Sequence, residues 1–132
     1  MLLGKGTAWM PALVDPPAVA HLDALFKGFA EPTRIRILNL LAAGELCVCD
    51  IVTILRLPQS TVSRHLGYLL RSELVEFTRD WKFAHYRLAA PTNPIHRNLL
   101  NCVRTCFRGI ASLDAERARA AERVRLRERE PC

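Results

Sequence analysis

Two short amphipathic segments joined by a tight connection constrain the fold of this chain more than any other feature. The first is a short helix predicted from about Cys49 to Leu55. The connection Leu57-Pro58-Gln59-Ser60 leads into a second helix that runs to about Arg71. The apolar face of this second helix comprises four aliphatic residues, Val62, Leu66, Leu69 and Leu70. Two helices joined by so short a turn predict a helix-turn-helix unit.

The segments around this unit complete the predicted architecture. Apolar residues at three- and four-residue spacing predict a helix at residues 18–29, another from Pro32 to a C-cap at Gly44, and a fifth helix from about Ile95 to Leu113. Alternating residues at 74–78 and 83–88 predict a β-hairpin, or wing, with the turn 79–82 at its tip. The fold class is therefore mainly α with a β-hairpin: a winged helix-turn-helix of about five helices and a two-stranded wing.

The 132 residues of the chain provide for one domain. We expect residues 1–17 to be a flexible N-terminal arm, and residues 18–113 to be the winged helix-turn-helix domain. Residues 114–132 alternate Arg and Glu and contain few large apolar side chains. They are expected to form a charged, solvated helix extension or tail.

The charge balance indicates a polyanionic partner. The chain has 19 Lys and Arg residues against 13 Asp and Glu residues, a formal net charge of +6. Such a balance in a small domain favours nucleic acid. No run of about 18 apolar residues is present to span a membrane, and the N-terminus lacks a secretory signal pattern. We therefore expect a cytoplasmic protein without a membrane partner.

The helix after the tight turn offers side chains that can read DNA. Its candidate DNA-binding residues are Gln59, Ser60, Thr61, Ser63, Arg64 and His65. Gln can pair with adenine, Arg with guanine, and hydroxyls with phosphates or base edges. Arg79 and Lys82 at the wing tip are candidates for contacts with the flanking phosphates. A solvated polar helix face is the alternative for the helix, and a structural hydrogen bond is the alternative for His65.

Cys47 and Cys49 are the strongest candidates for a sensor. The chain contains five cysteines, an odd number, and thiolates prefer soft or borderline ions. Residues two apart on a regular helix point roughly 200° from each other, so both thiolates can bind one ion only if the segment is extended or partly unwound. Ion binding is therefore expected to distort the start of the helix that packs under the DNA-reading helix.

Three segments resemble the ArsR/SmtB family of metal(loid)-responsive repressors, and in particular its arsenic-responsive branch. They are Glu45-Leu46-Cys47-Val48-Cys49-Asp50, the segment from Gln59 to Leu66, and His85-Tyr86-Arg87-Leu88. The resemblance covers roughly residues 20–112. It implies a non-enzymatic transcriptional repressor, a homodimer held by the first and fifth helices, and binding to an inverted-repeat operator in double-stranded DNA. It also implies release from DNA when the inducer binds.

The resemblance implies As(III) or Sb(III) as inducer, but one ligand differs from the family pattern. A third cysteine follows the second by three residues in that pattern, and this chain has Val52 there. A third thiolate would come from Cys102, Cys106 or Cys132, from either subunit, and packing in the dimer interface is the alternative for Cys102 and Cys106. Two thiolates alone suit a monomethylated arsenical. Cd(II), Pb(II) and Zn(II) stay open as inducers, whereas the family's zinc-type site has only His96 here.

Three other functions are compatible with parts of the sequence. A thiol redox sensor on the same scaffold would use Cys47 with Cys49, or Cys102 with Cys106. An enzyme with a Cys-x-Cys redox centre would require a strand-to-helix setting and a substrate cleft, and the sequence predicts neither. A constitutive architectural DNA-binding protein would leave the cysteines without a role.

Overall fold

The computed structural model describes residues 16–80 and 83–129. These residues form six helices and three strands, in the order α1 (Pro16–Gly28), α2 (Pro32–Leu41), β1 (Leu46–Cys47), α3 (Val48–Leu55), α4 (Gln59–Arg71), β2 (Val75–Asp80), β3 (Phe83–Leu88), α5 (Pro94–Thr105) and α6 (Ala111–Arg129). In the described ranges no helix is both long and apolar enough to cross a membrane. Most of the predicted N-terminal arm, together with Lys82 and Cys132, lies outside the described residues.

The N-terminus of α2 is capped by the residue before it. The Glu31 carboxylate accepts a hydrogen bond from the backbone N–H of Arg34 at 3.1 Å, and Pro32 occupies the first turn, where its missing N–H removes no bond. The helix ends at Leu41 with Ala42 as its C-cap, so the C-cap predicted at Gly44 is wrong. Gly44 instead adopts a φ of +145° in the turn between α2 and β1.

The wing belongs to a sheet of three strands, one more than predicted. Its order is β1-β3-β2, and both pairs are antiparallel. Strand β1 pairs Leu46 with Tyr86 and Cys47 with His85, so the cysteine segment lies beside the wing. The hairpin is also longer than expected. Arg79 lies within β2, opposite Ala84, rather than in the turn.

The helix-turn-helix unit is built on one aliphatic core. The fully or almost fully buried side chains from its helices and their neighbours include Leu25, Ile37, Leu38, Leu40, Ile51, Val62, Leu66, Leu69 and Leu100. Helix α3 ends at Leu55, and its C-cap residue Arg56 has a left-handed backbone (φ 57°) and donates its N–H to the carbonyl of Val52. This sharp ending reverses the chain and starts α4 against α3, as the predicted tight turn requires.

The predicted fifth helix is two helices in the structure. Helix α5 ends at Thr105, Gly109 has a φ of +92°, and α6 begins at Ala111. Helix α6 is not a solvated extension, because it packs against α2, α3 and β1 and buries Leu113 and Ala120. Its narrow apolar stripe is hidden in the sequence by the arginines and glutamates that surround it. The proposed division of the chain at residues 17/18 and 113/114 stays a prediction.

Candidate DNA interface and cysteine site

The N-terminal half of α4 presents a polar face to solvent. Gln59, Ser60, Ser63 and Arg64 are exposed, and Thr61 is half-buried. The opposite face of the helix carries the buried residues Val62, Leu66 and Leu69. Packing on one side therefore fixes the orientation in which the polar side chains are presented.

His65 differs from the other candidates for DNA contact because its side chain is only 8% exposed. Its Nδ1 lies 3.5 Å from Glu31 Oε2 and 3.5 Å from Arg34 Nη1, both at the start of α2. Burial lowers the pKa of His65, against the opposing effect of the Glu31 carboxylate. His65 thus holds α4 against α2 rather than facing outward, which agrees with the structural alternative raised for it.

Of the two candidate cations in the wing, Arg79 lies within the described residues. Arg79 is exposed, and its guanidinium lies 5.6 Å from the centre of the Phe77 ring. Further along the hairpin, Arg87 donates to Glu76 at 3.0 Å, and His85 is buried. Arg79 is therefore the described wing residue best placed to approach a phosphate.

Cys47 is the N-cap residue of α3 and has an extended backbone, with φ −85° and ψ 165°. Its thiol is buried and donates to Asp50 Oδ2 at 3.3 Å. Burial raises the pKa of Cys47, and the charge of the nearby Asp50 carboxylate acts in the same direction. In the described structure Cys47 is therefore held as a thiol.

Cys49 lies within the first turn of α3, and its side chain is exposed. Because Cys47 is outside the helix, the opposed directions of two helical residues do not apply to this pair. The extended backbone that would allow Cys47 and Cys49 to bind one ion is thus present at Cys47. The two sulfurs still occupy different environments, one buried and one at the surface.

Sequence reasoning missed the arginines that surround Cys47. Arg127 of α6 forms an ion pair with Asp50, donates to the carbonyl of Glu45 at 2.6 Å, and lies 3.7 Å from Cys47 Sγ. Arg123 reaches Asp50 Oδ1 at 3.4 Å. One sequence pattern could have revealed them. The helical spacing of Leu113, Ala120, Val124 and Arg127 places these residues on one side of α6, which faces the core.

Cys102 and Cys106 form a separate pair one turn apart at the end of α5. The backbone N–H of Cys106 donates to the Cys102 carbonyl at 2.8 Å, and the neighbouring Cys106 thiol raises the pKa of Cys102. Among residues 16–80 and 83–129, no cluster of three or more His, Cys, Asp or Glu side chains is arranged to hold a metal ion. The four described cysteines therefore fall into two pairs, and no third sulfur from the described residues completes a site with Cys47 and Cys49.

Helices α1 and α5 carry large apolar side chains that the described fold leaves in contact with water. Val19 and Phe26 of α1 and Ile95 of α5 are each at least 40% exposed. A set of exposed aliphatic and aromatic residues on a small domain is typical of an interaction surface. These are the helices expected to hold the dimer.

Comparison with known proteins decides the family. The profile of the "Bacterial regulatory protein, arsR family" matches residues 31–76. An uncharacterized HTH-type transcriptional regulator of Methanocaldococcus jannaschii is 44% identical over 62 residues, 45% of this chain and 70% of the relative. The chain belongs to the ArsR family. Its members are DNA-binding transcriptional regulators, so this protein is a regulator of that class and not an enzyme.

Two further similarities bear on this ArsR-family protein. The arsenical resistance operon repressor of Escherichia coli K12 is 47% identical over 66 residues, which cover 49% of this chain and 56% of the repressor. The chain thus spans little more than half of that relative. The homodimeric winged helix-turn-helix DNA-binding domain of a possible ArsR-family regulator from Mycobacterium bovis superimposes with a TM-score of 0.60 at 28% identity, over 79% of this chain and 89% of that domain. The winged helix-turn-helix prediction is confirmed.

Proposed function

We propose that this protein is a transcriptional repressor that binds operator DNA as a homodimer and leaves it when trivalent arsenic or antimony binds Cys47 and Cys49. The observation that carries the proposal is the position of these cysteines, at the start of the helix that packs against α4. A change at that point acts directly on the DNA-reading element. The 47% identity to an arsenical resistance operon repressor supports arsenic as the inducer.

The exposed face of α4 supports the proposed DNA contacts. With the helix in the major groove, Gln59 and Arg64 reach base edges, and the hydroxyls of Ser60, Thr61 and Ser63 reach phosphates or bases. Arg79, with Lys82 beyond the described residues, approaches the flanking backbone from the wing. The net charge of +6 favours the encounter with DNA.

Inducer binding acts on the contact that now holds Cys47. To join Cys49 on one ion, the Cys47 sulfur has to leave the Asp50 carboxylate to which it is hydrogen-bonded. Arsenous acid forms each As–S bond by condensation with a thiol and releases water, with no change of oxidation state. The start of α3 then changes shape, and α4 loses the support that sets its angle to the DNA.

The exposed apolar residues of α1 and α5 support a homodimer. Pairing α1 and α5 with those of a second copy would remove Val19, Phe26 and Ile95 from water. A two-fold dimer presents two copies of α4, and an inverted-repeat operator has the matching symmetry. A cytoplasmic location, as expected from the sequence, accompanies this function.

Cys102 and Cys106 support a second candidate, a thiol redox sensor, because they lie one helical turn apart and neither is fully buried. Hydrogen peroxide would oxidise the pair to a disulfide and be reduced to two waters, which take up the two thiol protons. Cd(II), Pb(II) or Zn(II) at Cys47 and Cys49 is the corresponding alternative for the ion.

Titration of operator-bound protein separates these functions. The DNA upstream of the protein's own gene carries a fluorophore, and anisotropy reports binding at fixed salt. As(III) should release the DNA, and Cys47→Ser or Cys49→Ser should abolish the release. The same substitutions at Cys102, Cys106 and Cys132 identify any third ligand. Release that persists in both Cys47→Ser and Cys49→Ser contradicts the site, and release by peroxide alone favours the redox sensor.

A further inference from the structure

Arg127 of α6 contacts residues 45–50, the sensor segment that contains both cysteines, at three points. Its guanidinium forms the ion pair with Asp50, donates to the Glu45 carbonyl at 2.6 Å, and approaches Cys47 Sγ at 3.7 Å. These groups lie before, at and after the N-cap of α3. The ion pair is largely shielded from water, because the Arg127 and Asp50 side chains are 19% and 10% exposed.

Helix α6 holds Arg127 in this position through contacts along most of its length. Arg36 donates to Glu116 at 3.2 Å, and the Asn39 side chain donates to the carbonyl of Leu113 at 2.8 Å. Nearer the sensor, Val124 lies against the turn at Gly44, where an added Cβ would meet it at 3.0 Å. The Arg127 guanidinium is therefore presented by a docked helix rather than by a free tail.

We propose that Arg127 is a positioning residue that stabilises the inducer-free conformation of the sensor segment. It thereby sets the concentration of inducer needed to release the protein from DNA. The inference rests on the function proposed above. Arg127 joins the Glu45 carbonyl, the Cys47 sulfur and the Asp50 carboxylate, so movement of Cys47 toward Cys49 breaks this arrangement. The free energy needed to break it is subtracted from the free energy of inducer binding.

Helix α6 also connects the sensor segment to α5. Arg117 donates to the carbonyls of Val103 and Arg104, at 2.5 and 3.0 Å, near the end of α5. Helix α6 therefore contacts both the sensor segment and a helix that carries part of the proposed dimer surface.

The test compares Arg127→Gln with Arg125→Gln in the full-length protein. Arg125 is exposed and pairs with Glu122 of its own helix, so its loss gives the same charge change without touching the sensor. Arg127→Gln should lower the As(III) concentration for half-release about tenfold, which corresponds to about 1.4 kcal/mol. Operator affinity without inducer should stay unchanged, whereas a general destabilisation of the fold would weaken operator binding as well. Arg127→Lys keeps the charge but not the multiple contacts and should lie between.

Hydrogen exchange of the backbone amides of residues 48–50, measured without inducer, reports whether Arg127 stabilises the start of α3. Exchange should be faster in Arg127→Gln than in Arg125→Gln or the wild type. Equal exchange in the three proteins, or an unchanged or higher half-release concentration in both Arg127 variants, overturns the inference. If As(III) fails to release DNA from the wild type while exchange rises only in the Arg127 variants, the proposed function fails and the stabilisation of the segment stands.

Discussion

His96 is fully buried at the start of α5, where its Nδ1 accepts a hydrogen bond from the backbone N–H of Thr92 at 3.2 Å. Its Nε2 is buried without a partner among the described residues. Burial, followed by the charge of His21, lowers the pKa of His96 below its ordinary value of 6.5, against the opposing effect of Glu73. The folded protein therefore binds this proton less readily than the unfolded chain does.

This difference predicts an acid-sensitive fold. Above the unfolded pKa of about 6.5 the group has no effect, and as the pH falls below it the unfolded state takes up more protons, so the free energy of unfolding decreases. Urea unfolding at pH 7.5 and pH 5.5 should show a smaller pH-dependent loss in His96→Gln than in the wild type. The exposed residue Asn98 provides the control variant Asn98→Ala. An identical loss in wild type and His96→Gln would contradict the role of His96.

At the scale of elements, one buried amide is central to the docking of α6. Asn39 of α2 donates to the Leu113 carbonyl at 2.8 Å and accepts from Arg117 Nε at 3.1 Å. Asn39→Ala leaves both partners without their bond, so we expect the free energy of unfolding to fall by about 2 kcal/mol. Urea titration measures it, with Asn98→Ala on the surface of α5 as control. A loss no larger than in the control would show that α6 is not held there.

Helix α4 supports a prediction about DNA specificity. Arg64 is exposed on the polar face near its N-terminus, the part of a recognition helix that reaches bases. Arg64→Ala should weaken operator binding by about 1–3 kcal/mol and reduce discrimination against unrelated DNA. Arg119→Ala removes the same charge from an exposed site on α6 and should change neither quantity appreciably. Equal losses in the two variants would indicate a general charge effect.

The elements that the sequence predicted well are those with a broad apolar face. Helix α4 and the wing were found because Val62, Leu66 and Leu69 recur at helical spacing and residues 83–88 alternate. The two-residue strand β1 is too short for a pattern, and its pairing with β3 depends on contacts distant in sequence. The environment of Cys47 was missed for the same reason, because Arg127 lies far along the chain from it.

At the scale of the whole molecule, the exposed apolar residues of α1 and α5 predict a dimer. Phe26 of α1 is 54% exposed, and Leu126 of α6 is 45% exposed. Phe26→Glu should shift the protein from dimer to monomer in sedimentation, since a carboxylate opposes burial in an apolar interface. Operator affinity should fall with it, because the monomer contacts only one half-site. Leu126→Glu is the matched control and should remain dimeric. A dimeric Phe26→Glu would place the interface elsewhere.

The most direct test of the central claim measures As(III) affinity twice, for the free protein and for the protein saturated with operator DNA. If inducer and operator favour different shapes of one sensor, each weakens the other by the same factor. We predict that operator lowers As(III) affinity by the factor by which As(III) lowers operator affinity, and that Cys47→Ser abolishes both effects. Equal As(III) affinity with and without operator would contradict the account.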